Sequence, residues 1–201
     1  MNIRLTLVKT GIFVSVILCG LIMVTMQWDK NNDLPVLDKA EPFTLQSITE
    51  DEYSSDNGKI KLMAFFYTNC PDICPLTMSD FKKLQDELKL KEVFGTKAEL
   101  VAITLDPEED DLQTISEYAQ KFEADPEGWI FLRGTPEQTK EVADSYHMKF
   151  KKVSGDYIAH NTTMFLIDNK NQIRGLYDMA NTKKAVENEE ILEAINLLIN
   201  E

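Results

Sequence analysis

Hydrophobic and polar positions divide the chain into an apolar leader, a polar stretch and a long alternation of strand and helix patterns. From Thr10 to Trp28 the run TGIFVSVILCGLIMVTMQW carries no charge. Its length, roughly 19 residues, is near what a helix needs to cross a bilayer. Residues 29–42, DKNNDLPVLDKAEP, are polar and hold two prolines. After a weakly patterned stretch at 43–57 that suits a short hairpin, the turn signal Asn57-Gly58 precedes KIKLMAFFYT, apolar enough for a buried central strand. From Pro75 to Lys91, Met78, Phe81, Leu84 and Leu88 recur at helical spacing. ELVAITLD then predicts a second buried strand. Leu112, Ile115, Tyr118, Ala119 and Phe122 predict a helix over 109–124, and GWIFLRG a third strand. Thr135-Pro136 supplies a cap and a first helical position for a helix running to about Tyr146. The turn-rich VSGDY leads to the strand TTMFLID. The turn NKNQ and a hairpin partner, IRGLYD, follow, and a last helix covers about 187–200.

Strand–helix alternation closed by a hairpin and a helix predicts an α/β fold, a central mixed sheet flanked by helices. The expected organisation is 1–28 as cytoplasmic N-terminus and transmembrane anchor, 29–42 as tether, and 43–201 as one globular domain. Arg4 and Lys9 precede the apolar run and no basic residue follows it before Lys30, which keeps the N-terminus in the cytoplasm and puts the domain on the extracytoplasmic side of the cell membrane. A cleaved signal peptide wants small residues before the cut, and MVTMQW offers none. A lipoprotein signal would use Cys19, but Leu18 stands where a small residue is usual.

Composition sharpens this only a little. The chain is 43% hydrophobic and 27% charged, a globular balance. A net charge of −13 argues against a nucleic-acid partner, which needs a basic surface. Three cysteines are too few for a disulfide framework, so they point to specific chemistry or to none.

That chemistry centres on FFYTNCPDICPLTM. Cys70 and Cys74 follow the end of the first buried strand, where ligand groups gather in such sheets. With a helix beginning at about Pro71 they share one side of it, near enough to oxidise or to grip one ion, and the positive helix end favours thiolate. A zinc finger would need a second ligand pair. A structural disulfide would close too small a loop to constrain much. A thioredoxin-type redox pair is usually spaced by two residues rather than three. Of the two histidines, His147 suits the end of a helix, whereas His160, before a buried strand, is either a hydrogen-bonded core histidine or a ligand delivered onto the thiols. Two thiolates and an imidazole form a soft set that suits copper, as Cu(I) or Cu(II), and also tolerates zinc.

The segments FFYTNCPDICPLTMSDFKKLQ, VAITLDPEEDDLQTISEYAQKF, GWIFLRGT and DYIAHNTTMFLIDNKNQIRGLY stand in the order found in the Sco/SenC family, which the chain resembles over roughly residues 40–200. The resemblance implies a thioredoxin-like fold and a membrane-tethered protein that assists assembly of the copper-A centre of cytochrome c oxidase subunit II. It also implies one copper ion bound by Cys70, Cys74 and His160, with Asp106 supporting the site by orientation or charge balance rather than ligation. The protein is then a metal carrier rather than an enzyme. The alternative is a thiol–disulfide oxidoreductase, using Cys70 and Cys74 to reduce the copper-ligand cysteines of the oxidase subunit and served by a thiol reductant. A peroxidase of the same fold would set Thr68 before Cys70 and an arginine, Arg133 or Arg174, across the pocket.

Overall fold

The computed structural model describes residues 33–201 except Glu50 and Asp156, together with Ser15, Ile17, Cys19 and Gly20. Most of the expected anchor lies outside the described residues, and among those described no helix is long and apolar enough to cross a membrane. Residues 34–200 form one compact unit.

Its strands are β1 (Asp38–Lys39), β2 (Thr44–Ser47), β3 (Glu52–Ser54), β4 (Ile60–Phe66), β5 (Ala98–Thr104), β6 (Trp129–Arg133), β7 (Phe150–Ser154), β8 (Tyr157–His160), β9 (Thr163–Ile167) and β10 (Gln172–Asp178). Its helices are α1 (Ile73–Leu90), α2 (Leu112–Lys121), α3 (Pro136–Ser145) and α4 (Asn188–Ile199). Eight strands make one mixed sheet in the order β1-β10-β9-β4-β5-β6-β2-β3. The β4-β5-β6 centre is parallel, and the outer pairings are antiparallel. Every residue of β4 and β5 is buried, which explains why both read as continuous apolar runs rather than alternations.

The caps follow from local chemistry. Asp72 accepts from the Ile73 N–H at 2.6 Å and starts α1 two residues later than Pro71, the expected start. Asp111 accepts from Thr114 N–H at 2.7 Å to start α2. Thr135 and Gln138 form a reciprocal capping box ahead of Pro136. On α1 the stripe Met78, Phe81, Leu84 and Leu88 is buried, and α1 packs beside α4. Gly58, at φ +70°, makes the turn into β4.

Two features depart from the pattern. Residues 34–42, expected as tether, are tied into the sheet. β1 pairs with β10, Ala40 is buried, and the Leu34 carbonyl accepts from Arg174, which also pairs with the buried Asp168 at 2.8 Å. Residues 150–160, which include the turn-rich VSGDY, form a separate two-stranded hairpin, β7–β8, that pairs Phe150 with His160.

Candidate metal centre

The carboxyl ends of β4 and β5 lie side by side, joined by Leu105 N–H donating to the Phe66 carbonyl at 2.7 Å. The loop from β4 brings Cys70 to the start of α1, and the Cys74 N–H donates to the Cys70 sulfur at 3.3 Å. Cys70 is half-buried and Cys74 fully buried, and both are free thiols. The two sulfurs are electrostatically unequal. A hydrogen bond from Cys74 lowers the Cys70 pKa to about 4, against the opposing effect of burial, and bonds from His160 and from the backbone at Cys74 and Asp72 add to the lowering. The same bond to Cys70, together with burial and the Cys70 charge, pushes the Cys74 thiol far up. One proton held between two sulfurs is the simplest physical description: Cys74 keeps it and Cys70 carries the charge.

His160 reaches Cys70 from the end of β8. Its Nδ1 lies 2.7 Å from the Asn161 carbonyl, which can only accept, so Nδ1 carries a proton and Nε2 is the nitrogen left to face a metal or a thiol. Among the described residues no three His, Cys, Asp or Glu side chains are gathered closely enough to hold an ion as they stand. The thiols are paired and the imidazole meets one of them. His147 is not part of this group. It is exposed and lies 3.7 Å from Asp38.

Asp106, buried after β5, is 3.2 Å from the Lys152 ammonium on β7. It thereby fastens the hairpin that carries His160 to the loop beside the thiols. Three further residues shape the site, and sequence reasoning missed them in this role. Tyr67 is buried between the thiol loop and the hairpin. Its hydroxyl bonds Cys70 and the backbone at Ile158, its ring meets His160 edge-on at 6.1 Å, and its pKa is pushed up to about 12, chiefly by burial. Asp110, 1% exposed, accepts from the Thr68 N–H at 3.1 Å, from the Thr68 hydroxyl, and from the Thr104 hydroxyl at 2.5 Å. Burial raises its pKa, and those hydrogen bonds oppose the rise. Tyr118, on α2, stacks on Phe66, the last residue of β4, at 5.5 Å, and its pKa is raised by burial first and then by the charges at Cys74 and Cys70. The Arg133 guanidinium is bonded to the Pro107 and Asp110 carbonyls. Thr68 and Arg133 are therefore both engaged in bracing loops.

Residues 33–196 match the family model described as SCO1/SenC. The chain belongs to the SCO1/SenC family. Among its relatives this SCO1/SenC protein is similar to the mitochondrial SCO1 homolog 1 of Arabidopsis thaliana, 37% identical over 114 residues, which cover 55% of this chain and 33% of that protein. It spans between a third and just under two thirds of the length of the first curated relatives it matches. Among solved structures it resembles Arabidopsis thaliana ScoI with copper bound, at 25% identity and a TM-score of 0.65, covering 81% of this chain and 99% of that one. It also shares its fold with BsSco, described as a member of the Sco family of cytochrome c oxidase assembly proteins and as having a disulfide switch. That match has 23% identity and a TM-score of 0.70, and covers 83% of this chain and 97% of that one. The expected fold is borne out as a mixed α/β, thioredoxin-like, Sco-type domain.

Proposed function

We propose that this SCO1/SenC protein is an extracytoplasmic copper carrier, anchored in the cell membrane by residues 10–28, that helps build the copper-A centre of cytochrome c oxidase subunit II. Its cargo is one copper ion, held by Cys70, Cys74 and His160. The observation that carries this reading is the juxtaposition of a thiol pair at a helix N-terminus with a histidine that reaches Cys70. The copper-bound relative supports the choice of metal. Sulfur suits Cu(I), and imidazole is accepted by Cu(I) and Cu(II) alike. The charged Cys70 meets the ion first because it is the more exposed sulfur. Cys74 then releases its proton and completes the dithiolate. Delivery proceeds by exchange, the acceptor's ligands replacing these one at a time.

The test is anaerobic copper titration of the reduced full-length chain, wild type and His160→Ala. The expected result is one copper per chain, with Cu(II) affinity falling far more than Cu(I) affinity in the variant. An unchanged Cu(II) affinity and spectrum in His160→Ala would remove the histidine from the ligand set.

The unequal thiols favour a second reading, a dithiol reductant of the oxidase subunit. Cys70 thiolate attacks one sulfur of the acceptor's disulfide, and the other sulfur leaves as thiolate. Cys74, giving up its proton, then attacks Cys70 and releases the second acceptor thiolate. Two electrons pass to the acceptor, and a Cys70–Cys74 disulfide remains for a thiol reductant to reopen. This route needs both cysteines and no histidine. Oxidase assembly that survives His160→Ala but not Cys70→Ser or Cys74→Ser selects it.

A further inference from the structure

The β7–β8 hairpin carries charge of the opposite sign to the chain as a whole. Between His147 and Asn161 stand three lysines and one acid, in a chain whose net charge is −13. Lys152 is held by Asp106. Lys149 and Lys151 are exposed, and neither has a carboxylate partner among the described residues. On the helices, by contrast, Lys82, Lys83, Lys89 and Lys140 each pair with one. Lys149 and Lys151 line an open depression of about 450 Å³ together with Phe150, Ala159, His160 and Asn161. His160 therefore belongs to two places at once: it lines this depression, and it reaches Cys70. On the hairpin Lys151 stands opposite Ala159, and both are exposed. Val153 and Tyr157, flanking the turn, are 59% and 52% exposed, so apolar surface is left uncovered on the same hairpin as the lysines.

Solvated lysines are common, and what sets these two apart is their place. A protein that draws copper from Cys70 and His160 has to reach His160, and so meets Lys149 and Lys151. An acidic protein is repelled by the net charge of the chain and attracted here, and such contrast steers encounter and fixes orientation. An anionic bilayer is the poorer occupant. Lipid headgroups are recognised by clusters of about four to eight basic residues, and a bilayer lying on this hairpin would cover the histidine.

We propose that the β7–β8 hairpin docks an acidic patch on the protein that receives the copper, with Lys149 and Lys151 steering it and Val153 and Tyr157 supplying apolar contact. The inference rests on the copper reading above and names the partner's chemistry, carboxylates beside its own copper ligands.

The experiment uses the full-length chain in neutral phosphatidylcholine nanodiscs, with the metal-free soluble domain of oxidase subunit II as the probe. Association rates are read at about 20 and about 200 mM salt for wild type, Lys149→Glu/Lys151→Glu and Lys149→Arg/Lys151→Arg. The Lys149 N–H donates to the Asn161 side chain at 3.0 Å and its carbonyl accepts from the Asn161 N–H at 3.1 Å, so the substitutions change side chains and leave the hairpin tied. The wild-type rate should fall steeply with salt. The glutamate pair should slow association about tenfold or more at low salt and weaken its salt dependence, and the arginine pair should restore the wild-type rate. Equal rates in all three, or a wild-type rate indifferent to salt, overturns the inference. So does protection of Lys149 and Lys151 from acetylation by phosphatidylglycerol nanodiscs without the probe, which would give the hairpin to the membrane. Copper titration of the same samples separates the two readings. Wild type that binds copper but does not associate with the probe overturns this inference and the named acceptor, and leaves copper binding standing. Lysine-dependent association without copper binding overturns the copper reading and keeps the docking surface, in the service of the dithiol route.

Discussion

Cys70 and Cys74 are four positions apart and chemically opposite because one is half-buried at the helix start and the other is sealed beneath it. With the Cys70 pKa lowered to about 4, its alkylation by iodoacetamide should stay nearly flat from pH 8 to pH 5 and decline only as pH nears 4. Cys74 should resist throughout. Peptide mapping after a timed pulse checks both, and a Cys70 rate that climbs between pH 7 and 9 contradicts the assignment. Cys70 is lowered on folding, so its contribution to stability is full above the ordinary thiol value of about 8.5 and is lost as pH falls towards about 4. Cys74 is raised, so its contribution is full below about 8.5 and is lost as pH rises further. The stability difference between the reduced protein and a Cys70→Ser/Cys74→Ser variant should therefore peak near pH 8.5, measured by denaturant unfolding at a series of pH values. Asp110 governs the loop that presents Cys70. Asp110→Ala leaves the Thr68 N–H and the Thr68 and Thr104 hydroxyls without their acceptor. It should cost about 3 kcal/mol and lower the melting midpoint by roughly 10 °C in calorimetry.

At the scale of elements, the β7–β8 hairpin decides whether the imidazole meets the thiols. Lys152 fastens it through the buried Asp106. Lys152→Met should raise the exchange rate of hairpin amides severalfold while lowering global stability by no more than about 1 kcal/mol, since the lysine is partly exposed. Hydrogen exchange read by mass spectrometry on peptides covering 150–160 tests this, and unchanged protection would assign the fastening to other contacts. This hairpin is also where sequence reasoning stopped. FKKVS and YIAH show no clean alternation, and Ile158 is the residue of β8 that reaches the core, so no period marks a strand. β1 is two exposed residues and equally silent. By contrast β4, β5 and the four helices were legible, because long apolar runs and capping residues act within their own segments. The site divides in the same way. Cys70, Cys74 and His160 stand out by chemical type. Tyr67 at the end of an apolar run reads as core, Tyr118 reads as one more residue of an apolar stripe, and Asp110 within EEDD looks like any solvated acid. Their roles depend on which loops and helices meet, and that is long-range information.

Across the whole molecule, the parallel strands β4 and β5 separate the chemistry from a second buried polar cluster at their opposite ends. Lys61 and Glu99 are register partners, each 1% exposed. Glu99 accepts from the Tyr53 hydroxyl at 2.5 Å and from Asn57 at 2.8 Å, and pairs with Lys59 at 3.2 Å. Lys61 donates to the Lys59 carbonyl at 2.7 Å, and burial lowers its pKa. From Lys61 to the end of β4 is about 16 Å at the usual strand rise, beyond the range at which two sites normally couple. Glu99→Leu leaves the Tyr53 hydroxyl and the Asn57 amide without their acceptor, removes the partner of Lys59 and the negative charge acting on the buried Lys61, and should cost about 3–5 kcal/mol. Copper affinity in that variant, measured below its lowered melting midpoint, should stay within about twofold of wild type. The reciprocal experiment is Cys74→Ser, which should abolish tight Cu(I) binding while keeping the fold. If Glu99→Leu weakens copper binding tenfold while the protein remains folded, the sheet transmits strain from one end to the other. The thiol loop would then depend on the whole of β4 and β5 rather than on Asp110, Tyr67 and the hairpin.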